Sequence, residues 1–398
     1  MKKILITVTI LFLLYTIHPE IFRFKYIPGT KYKIEANIKG KQYINDQYAN
    51  EYSQEYKTVR TIKEEKDNVG TIEDVNYNYN IHKNVYNQIL ELVNESVNTY
   101  LRDLQGRMSI DANNIFPTYR NVPVFPDNDI KPGDQWTASG MEVQDLFNNK
   151  TITELPLNVK YTFLGYEEIN NTKYAKFKYE HSIDITNNPQ QRMDSRINRI
   201  VGASQTIMYF DNINGTRVKE IYQRDYSFLI ESNNQQYVAR FIDSGERNWD
   251  PVELMDKDRI VDDIRKEFDK EKIEDAVIEK DDKGVKIQLE NLHFIADSPE
   301  LLPEEKSRLD KVAKILKRYK DKGIMIIGHT TDKGTEKGRL KLSIERAKVI
   351  ADYLIDQDAI NLLKSSFGGK GGTQPIADNT TEKGMKKNRR VEIYILEE

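Results

Sequence analysis

The sequence predicts an α+β protein with more than one domain: an antiparallel β-rich N-terminal domain, a linker helix and a C-terminal α/β sandwich in the order βαβαββ. Three observations predict this fold class. Between residues 21 and 250, apolar and polar residues alternate with a period of two, as they do in half-buried strands. Residues 251–283 are densely charged with apolar residues at helical spacing, and residues 284–398 switch repeatedly between strand and helix patterns.

The composition limits the classes of function. A chain of 398 residues is long enough for two or three domains with cores of their own. The formal net charge of -3 gives no electrostatic case for binding nucleic acid, which would require a basic domain or stripe. The chain has no cysteine, which excludes disulfides, thiolate catalysis, cysteine-zinc sites and a lipid-modified N-terminal cysteine.

The first twenty residues have the character of an export signal. Met1-Lys2-Lys3 is a basic start, and the run from Ile4 to Ile17 carries no charge. This run is shorter than the roughly 20 residues of a spanning helix, and no A-x-A-like cleavage site follows it. Residues 1–20 are therefore predicted to be either a signal peptide or a retained N-terminal anchor, and both alternatives stay open.

Residues 21–250 are predicted to form an antiparallel meander. Pairs of turn-forming residues between the alternating runs predict hairpins at Asn170-Asn171, Asn214-Gly215 and Asn233-Asn234. From Val85 to Leu104 the apolar residues instead recur at near-helical spacing, so we expect a helix packed on the sheet there. The clearest alternating runs are 32–36, 157–163, 174–183 and 217–222.

Alternation alone also fits an outer-membrane β-barrel. Charged residues argue against a lipid-facing band, because charge on the outward face of a barrel is costly. We therefore keep a porin-like barrel with a C-terminal tether as the second interpretation. Five such residues stand close together in one predicted strand: Lys57, Arg60, Lys63, Glu64 and Lys66.

Residues 251–283 are predicted to be a charged linker helix. Ile260, Ile264 and Phe268 have helical spacing, and acidic residues outnumber basic ones. A solvated connecting helix accounts for this pattern better than an acidic interaction segment does.

The last domain, residues 284–398, begins with alternating residues 285–289 and continues into a helix that starts at Pro303. The apolar run Ile324–Ile327 ends at Gly328, as expected of a strand buried on both faces. A second helix follows a polar loop, and Val391, Ile393 and Ile395 predict a closing strand.

Arg346 is the first candidate for a functional residue. It lies on the flank of the second helix, between the apolar stripe and the solvated face, and we expect it near the helix start. The carboxyl end of the preceding strand is the position where open α/β sheets bind ligands. A guanidinium held there can bind a carboxylate with two hydrogen bonds, although an ion pair with a nearby acid is the alternative.

Several motifs in this domain resemble the peptidoglycan-binding domain of the OmpA, MotB and Pal family. The residues that carry the resemblance are Gly328-His329-Thr330, Leu342-Ser343, Arg346-Ala347 and 388–393. The resemblance covers residues 284–398, behind a β-rich domain whose Pro132-Gly133-Asp134-Gln135-Trp136 segment resembles uncharacterised exported proteins. It implies peptidoglycan binding in the periplasm, in association with the outer membrane.

In the family, an Asp after the His-Thr pair and the helix Arg together hold diaminopimelate. Here Thr331 occupies the position of that Asp, and Asp332 stands one place later. The site is thus expected to bind diaminopimelate weakly, to bind another diamine such as ornithine, or to have lost ligand binding and serve as a structural module. The resemblance implies this set of ligand residues: Arg346, Asp332, Thr331, Thr330, Asp297, Asn388 and Arg389.

Three of these residues, Asp297, Asn388 and Arg389, also have a structural role as an alternative interpretation. Asp297 matches the first loop beside the family's pocket but is equally suited to a turn or a helix entry. Asn388 and Arg389 are expected at the start of the last strand, against the floor of the pocket, whereas Arg390 is expected in a structural ion pair. His329 is predicted to be structural, because no ligand-spaced histidine or acidic cluster surrounds it.

No catalytic motif, metal site or cofactor is predicted. The five histidines are scattered, and neither G-x-S-x-G nor H-E-x-x-H occurs. The glycine-rich residues 368–372 lack the spacing of a phosphate-binding loop. A MotB-like stator would need an acidic residue in a longer spanning helix, and residues 4–17 have none. We therefore predict a non-catalytic protein whose β-rich domain contacts an outer-membrane lipid or an envelope protein.

Overall fold

The computed structural model describes residues 19–83, 88–147, 149–292, 294–295 and 298–398. Residues 1–18, and with them most of the predicted signal peptide or anchor, lie outside the described residues. Among the helices that are described, none combines the length and the apolar character that crossing a bilayer requires.

Long antiparallel strands dominate the chain up to Pro251. They pair in the order β4-β3-β2-β1-β12-β11-β10-β9-β8-β7, and the two short strands β5 and β6 pair with β4 and β7. The strands are β1 Lys31–Ile44, β2 Gln47–Lys66, β3 Val69–Lys83, β4 Gln88–Asp103, β5 Met108–Ser109, β6 Tyr119–Arg120, β7 Gln135–Gln144, β8 Thr153–Ile169, β9 Thr172–Thr186, β10 Ile197–Asp211, β11 Thr216–Ser232 and β12 Gln235–Pro251.

The predicted hairpins are confirmed. Asn170-Asn171 and Asn233-Asn234 join β8 to β9 and β11 to β12, and all four residues have positive φ. Asparagine tolerates this left-handed conformation, and a two-residue turn of this kind matches the twist of the flanking strands. Asn214-Gly215 lies in the turn between β10 and β11, where Gly215 has a φ of 60°.

The sheet curls around an aromatic core. Three strands separate β7 from β11, yet Arg224 Nη1 of β11 lies 3.0 Å from Glu142 Oε1 of β7. A flat sheet would hold these side chains far apart, so its inner face is strongly concave. The phenylalanines that fill this face include Phe22, Phe24, Phe125, Phe177 and Phe210.

The helix predicted from Val85 to Leu104 is wrong, because Gln88–Asp103 is strand β4, paired with β3. A register shift opposite Asn78 and Tyr79 interrupts the alternation. Ile89 and Leu92 before the shift are both buried and three residues apart, which imitates helical spacing. After the shift the buried positions are Asn98, Tyr100 and Arg102, two of which are polar.

The C-terminal part contains the predicted strands and helices in the predicted order, with one additional short helix, Glu382–Asn388, between the last two strands. The sheet order is β13-β14-β17-β15-β16, with β15 and β16 parallel and the other pairs antiparallel. The elements are α1 Lys257–Glu271, β13 Ala276–Asp281, β14 Gly284–Glu290, α2 Pro303–Leu316, β15 Gly323–Gly328, α3 Glu336–Asp356, β16 Ser365–Gly369, α4 Glu382–Asn388 and β17 Arg390–Leu396.

The predicted linker helix is present but is not a solvated connection. In α1, Val261, Ile264 and Phe268 are buried in the same apolar core as β14 and α2. The remainder of the segment forms β13, which pairs with β14 along its whole length. The charged pattern of residues 251–283 hid this strand, whose only buried residue is Ile278.

Candidate functional site

The candidate site is built around the carboxyl end of β15. All six residues of β15 are buried between β16 and β17. At Gly328, a Cβ atom would lie 2.1 Å from the carbonyl oxygen of Ser343 in α3, so only glycine allows this approach of helix to strand. His329, Thr330 and Thr331 follow directly and are buried as well.

His329 belongs to a buried polar network, which agrees with the predicted structural role. Its Nε2 lies 3.3 Å from Glu392 Oε2, and Glu392 also accepts hydrogen bonds from Arg390 Nε (2.8 Å) and the Tyr394 hydroxyl (2.6 Å). Burial alone would raise the pKa of Glu392, but His329, Tyr394 and Arg390 together hold that pKa well below its usual range. The ion pair of Arg390 with Glu392 agrees with the structural role expected of Arg390, although the sequence did not indicate its partner.

The loop after β15 carries a neutral, buried side chain, Thr331, where the resemblance led us to expect an acid. Thr331 is 8% exposed, and its Oγ1 accepts a hydrogen bond from the Lys333 backbone N–H at 3.4 Å. The Thr330 hydroxyl donates to the Thr331 carbonyl at 3.0 Å. Asp332 is exposed. The carboxylate of Asp332, one residue after Thr331, therefore lies on the solvent side of the loop.

Arg339 shapes this loop and was missed by the sequence reasoning. Its Nη1 donates to the carbonyl oxygens of Asp332 at 3.0 Å and Gly334 at 2.5 Å. It thus ties the first turn of α3 to the loop that carries Thr331. No motif indicated this role, because arginine on a polar helix end is common.

A second loop, residues 370–373, packs against the first. The Thr330 backbone N–H donates to the Gly371 carbonyl at 2.8 Å, and the Gly371 N–H donates to Ser343 Oγ at 2.9 Å. Gly371 has a φ of 53°, a conformation that glycine adopts without strain. The glycine-rich stretch therefore serves to pack two loops and a helix together.

Arg346 lies in the middle of α3 rather than near its start, because the helix extends back to Glu336. Its guanidinium carbon is 4.5 Å from the centre of the Phe294 ring, and its Nε donates to the Ser298 carbonyl at 3.4 Å. These contacts place the guanidinium at the loop between β14 and α2. Asp297 belongs to this loop but lies outside the described residues.

Asn388 and Arg389 end α4 rather than starting β17. The Asn388 side chain is fully buried; its Oδ1 accepts from the N–H groups of Ile376 and Ala377, and its Nδ2 donates to the Ala377 carbonyl and Asn379 Oδ1. All of these partners belong to the loop at residues 376–379, so the amide of Asn388 stabilises that loop.

Arg389 is more open to solvent. Its Nη2 lies 3.6 Å from Glu382 Oε1, and its side chain is 36% exposed. Asn388 and Arg389 are neighbours in the sequence, but the Asn388 side chain is buried whereas the Arg389 side chain is partly exposed. Across the described ranges, no group of three or more histidine or acidic side chains is arranged to hold a metal ion.

Known proteins match the C-terminal part of the chain. Residues 293–389 match the model of the OmpA family. The chain is 38% identical over 102 residues to the peptidoglycan-binding protein ArfA of Mycobacterium tuberculosis, covering 26% of this chain and 31% of ArfA. It is 38% identical over 103 residues to outer membrane protein A of Bordetella avium, covering 26% of this chain and 53% of that protein.

Among solved structures, an outer membrane protein from Borrelia burgdorferi B31 matches 30% of this chain and 96% of its own, at 34% identity and a TM-score of 0.26. The chain spans less than two thirds of the length of both curated relatives.

Proposed function

We propose that this protein is a non-catalytic component of the cell envelope, because residues 293–389 match the model of the OmpA family. It binds the stem peptide of peptidoglycan through this domain and tethers the outer envelope to the wall. The observation that carries the proposal is the family match over the segment that contains both Arg346 and the Thr330–Asp332 loop. The relative ArfA is named a peptidoglycan-binding protein.

Arg346 is the residue that binds the carboxylate of the stem peptide in this proposal. The Phe294 ring and the Ser298 carbonyl orient the guanidinium at the edge of the loop between β14 and α2. A planar guanidinium recognises a carboxylate through two parallel hydrogen bonds, which an ammonium group cannot do. A charge-assisted contact of this kind contributes about 1.5–3 kcal/mol.

The loop residues decide which diamine is bound. With Thr331 neutral and buried and Asp332 on the solvent side, an ammonium group in the site has no buried carboxylate from these two residues. We therefore propose that diaminopimelate is bound mainly through its carboxylate, and that a wall with ornithine is the alternative ligand. In this proposal Thr330, Asn388 and Arg389 support the same region, and Asp297, which lies outside the described residues, stays a candidate by the resemblance alone.

The β-rich domain is proposed to contact an outer-membrane lipid or another envelope protein, in the periplasm. Outer membrane protein A of Bordetella avium, one of the matched relatives, is named for the outer membrane.

The experiment is a pull-down of the full-length protein on purified peptidoglycan sacculi. Arg346→Ala should lower the affinity by roughly tenfold or more, because it removes a charge-assisted contact. Arg318→Ala is the matched control: Arg318 is a half-exposed arginine of the same domain, with its Nη1 3.7 Å from Glu267. Equal binding by the wild-type chain and Arg346→Ala would contradict the assignment.

A further inference from the structure

The edge of the C-terminal sheet is covered by the β-rich domain. β16 pairs with β15 on one side and, in parallel register, with β4 on the other, with Ser366 opposite Leu90 and Gly368 opposite Leu92. At Gly368 a Cβ would lie 3.0 Å from Leu92 Cβ, so the small residue permits this close approach. The pairing is strand addition across the two parts of one chain, and it covers an edge that would otherwise be open.

Apolar burial supports the same contact. The side chains that meet there form a cluster of their own, distinct from the cores of the two domains. Each member is at most 9% exposed, so the contact excludes water as a domain interior does. The members are Tyr77, Tyr79 and Leu92 from the β-rich domain and Met325, Ile327, Tyr394 and Leu396 from the C-terminal domain.

Ion pairs surround this cluster. Glu95 of β4 lies 3.0 Å from Lys283 Nζ and 3.4 Å from Lys370 Nζ, and its side chain is 16% exposed. On the other side Lys31 pairs with Glu397, and Lys57 pairs with Glu398. Partial burial makes such pairs more effective than pairs in full solvent.

One of these pairs leads to the candidate site. Lys370 precedes Gly371, whose carbonyl accepts the Thr330 N–H at 2.8 Å and whose N–H donates to Ser343 Oγ at 2.9 Å. The Lys370 backbone N–H itself donates to the Gly328 carbonyl at 3.0 Å. The side chain that Glu95 holds is therefore one residue from the loop that packs on Thr330 and Thr331.

We propose that the β-rich domain regulates the wall site of its own chain, with Glu95 as the positioning residue that holds Lys370 and, through Gly371, the Thr330–Thr331 loop. This inference rests on the proposed function. Docking of the two domains and binding of peptidoglycan then favour each other, because a coupling between two equilibria is reciprocal. A free wall-binding domain would hold this loop less firmly.

The test uses the full-length protein and purified sacculi. Glu95→Gln should lower the affinity by roughly fivefold and Lys370→Gln by no more than that. The double variant should lose no more than Glu95→Gln alone, because Glu95→Gln already removes the Lys370 contact together with the Lys283 contact. Glu51→Gln is the matched control, since Glu51 is an exposed partner of Lys41 at 3.6 Å on the same sheet. Its affinity should equal that of the wild-type chain.

A disulfide lock separates docking from other effects of the substitution. The chain has no cysteine, so Leu90→Cys with Ser366→Cys introduces a single pair across β4 and β16. Oxidation should restore wild-type affinity to Glu95→Gln in this background, and reduction should return the fivefold loss. The disulfide between the two introduced cysteines should also form more slowly in the Glu95→Gln background than in the wild-type background. This measurement needs no ligand.

Two results would overturn the inference alone: wild-type affinity in Glu95→Gln, or a Glu95→Gln defect that the oxidised lock leaves unchanged. Failure of the wild-type chain itself to bind sacculi, in the oxidised lock as well, would overturn the proposed function and this inference with it. The ligand-independent rate of disulfide formation shows in every case whether Glu95 supports docking.

Discussion

At the scale of single residues, the proposed site depends on the contrast between Arg346 and Thr331. The guanidinium of Arg346 is always charged, and it contacts the Phe294 ring and the Ser298 carbonyl. Thr331 is buried and neutral, and its hydroxyl oxygen accepts a hydrogen bond from the Lys333 backbone N–H. In the proposed site we therefore expect strong binding of a carboxylate and weak binding of an amine.

Restoring the acid should strengthen recognition of a diamine. We expect Thr331→Asp to raise the affinity for diaminopimelate-containing sacculi by roughly tenfold, because a carboxylate facing an ammonium group adds a charge-assisted hydrogen bond. Thr331→Asn is the control, since asparagine has the shape of aspartate without its charge. The affinities are measured by pull-down, with thermal unfolding of each variant as a check on folding.

Equal affinities for the Asp and Asn variants would show that this position does not face the amine. The same proteins tested on ornithine-containing sacculi would then show which of the two wall chemistries the unaltered loop prefers.

At the scale of elements, the sequence predicted the parts whose pattern is local. Asparagine turns, the buried run of β15 and the helix that starts at Pro303 each depend on a few neighbouring residues, and all are confirmed. β4 was predicted wrongly, because a bulge breaks its alternation and its buried face carries Asn98 and Arg102. β13 was missed because most of its residues are exposed and only its pairing with β14 defines it.

The candidate site could be predicted only in part from the sequence. The resemblance singled out Arg346 and the Thr330–Asp332 loop as candidates, and their ligand-binding role stays a prediction. It did not give the position of Arg346 along α3, which depends on where the helix begins. No motif marked Arg339 or Glu95, because Arg339 contacts backbone carbonyls and Glu95 contacts Lys370, which is far away in the sequence. Asn388 was a candidate ligand residue, but its side-chain amide makes its hydrogen bonds to the loop at residues 376–379.

At the scale of the whole molecule, the two domains share a buried interface that combines strand pairing, an apolar cluster and ion pairs. Glu397 belongs to this interface, since its carboxylate pairs with Lys31 of β1. The same carboxylate lies 3.3 Å from Lys257 Nζ and accepts the Met255 N–H at 3.1 Å. Burial alone would raise the pKa of Glu397, but these contacts lower it below its ordinary value.

This shift predicts a pH dependence with a defined sign. Because the pKa of Glu397 is lower in the folded protein than in the unfolded chain, its contribution is complete above the unfolded pKa of about 4.3 and is lost as the pH falls through the folded pKa. Glu397→Gln should reduce the free energy of unfolding by about 1 kcal/mol at pH 7, and the difference should shrink below about pH 4.

Denaturant unfolding of both proteins at a series of pH values measures this difference. Glu300→Gln, which alters an exposed carboxylate away from this interface, is the control and should give no pH-dependent difference. A Glu397→Gln difference that stays constant from pH 7 to pH 3 would show that the carboxylate contributes nothing through its charge.

The most direct test of the central claim changes the ligand rather than the protein. The full-length chain is titrated calorimetrically with a soluble stem peptide that contains diaminopimelate, and with the same peptide after amidation of the diaminopimelate side-chain carboxylate. We predict roughly tenfold weaker binding of the amidated peptide, because the guanidinium of Arg346 loses its charged partner. Equal affinity for the two peptides would contradict carboxylate recognition by this site.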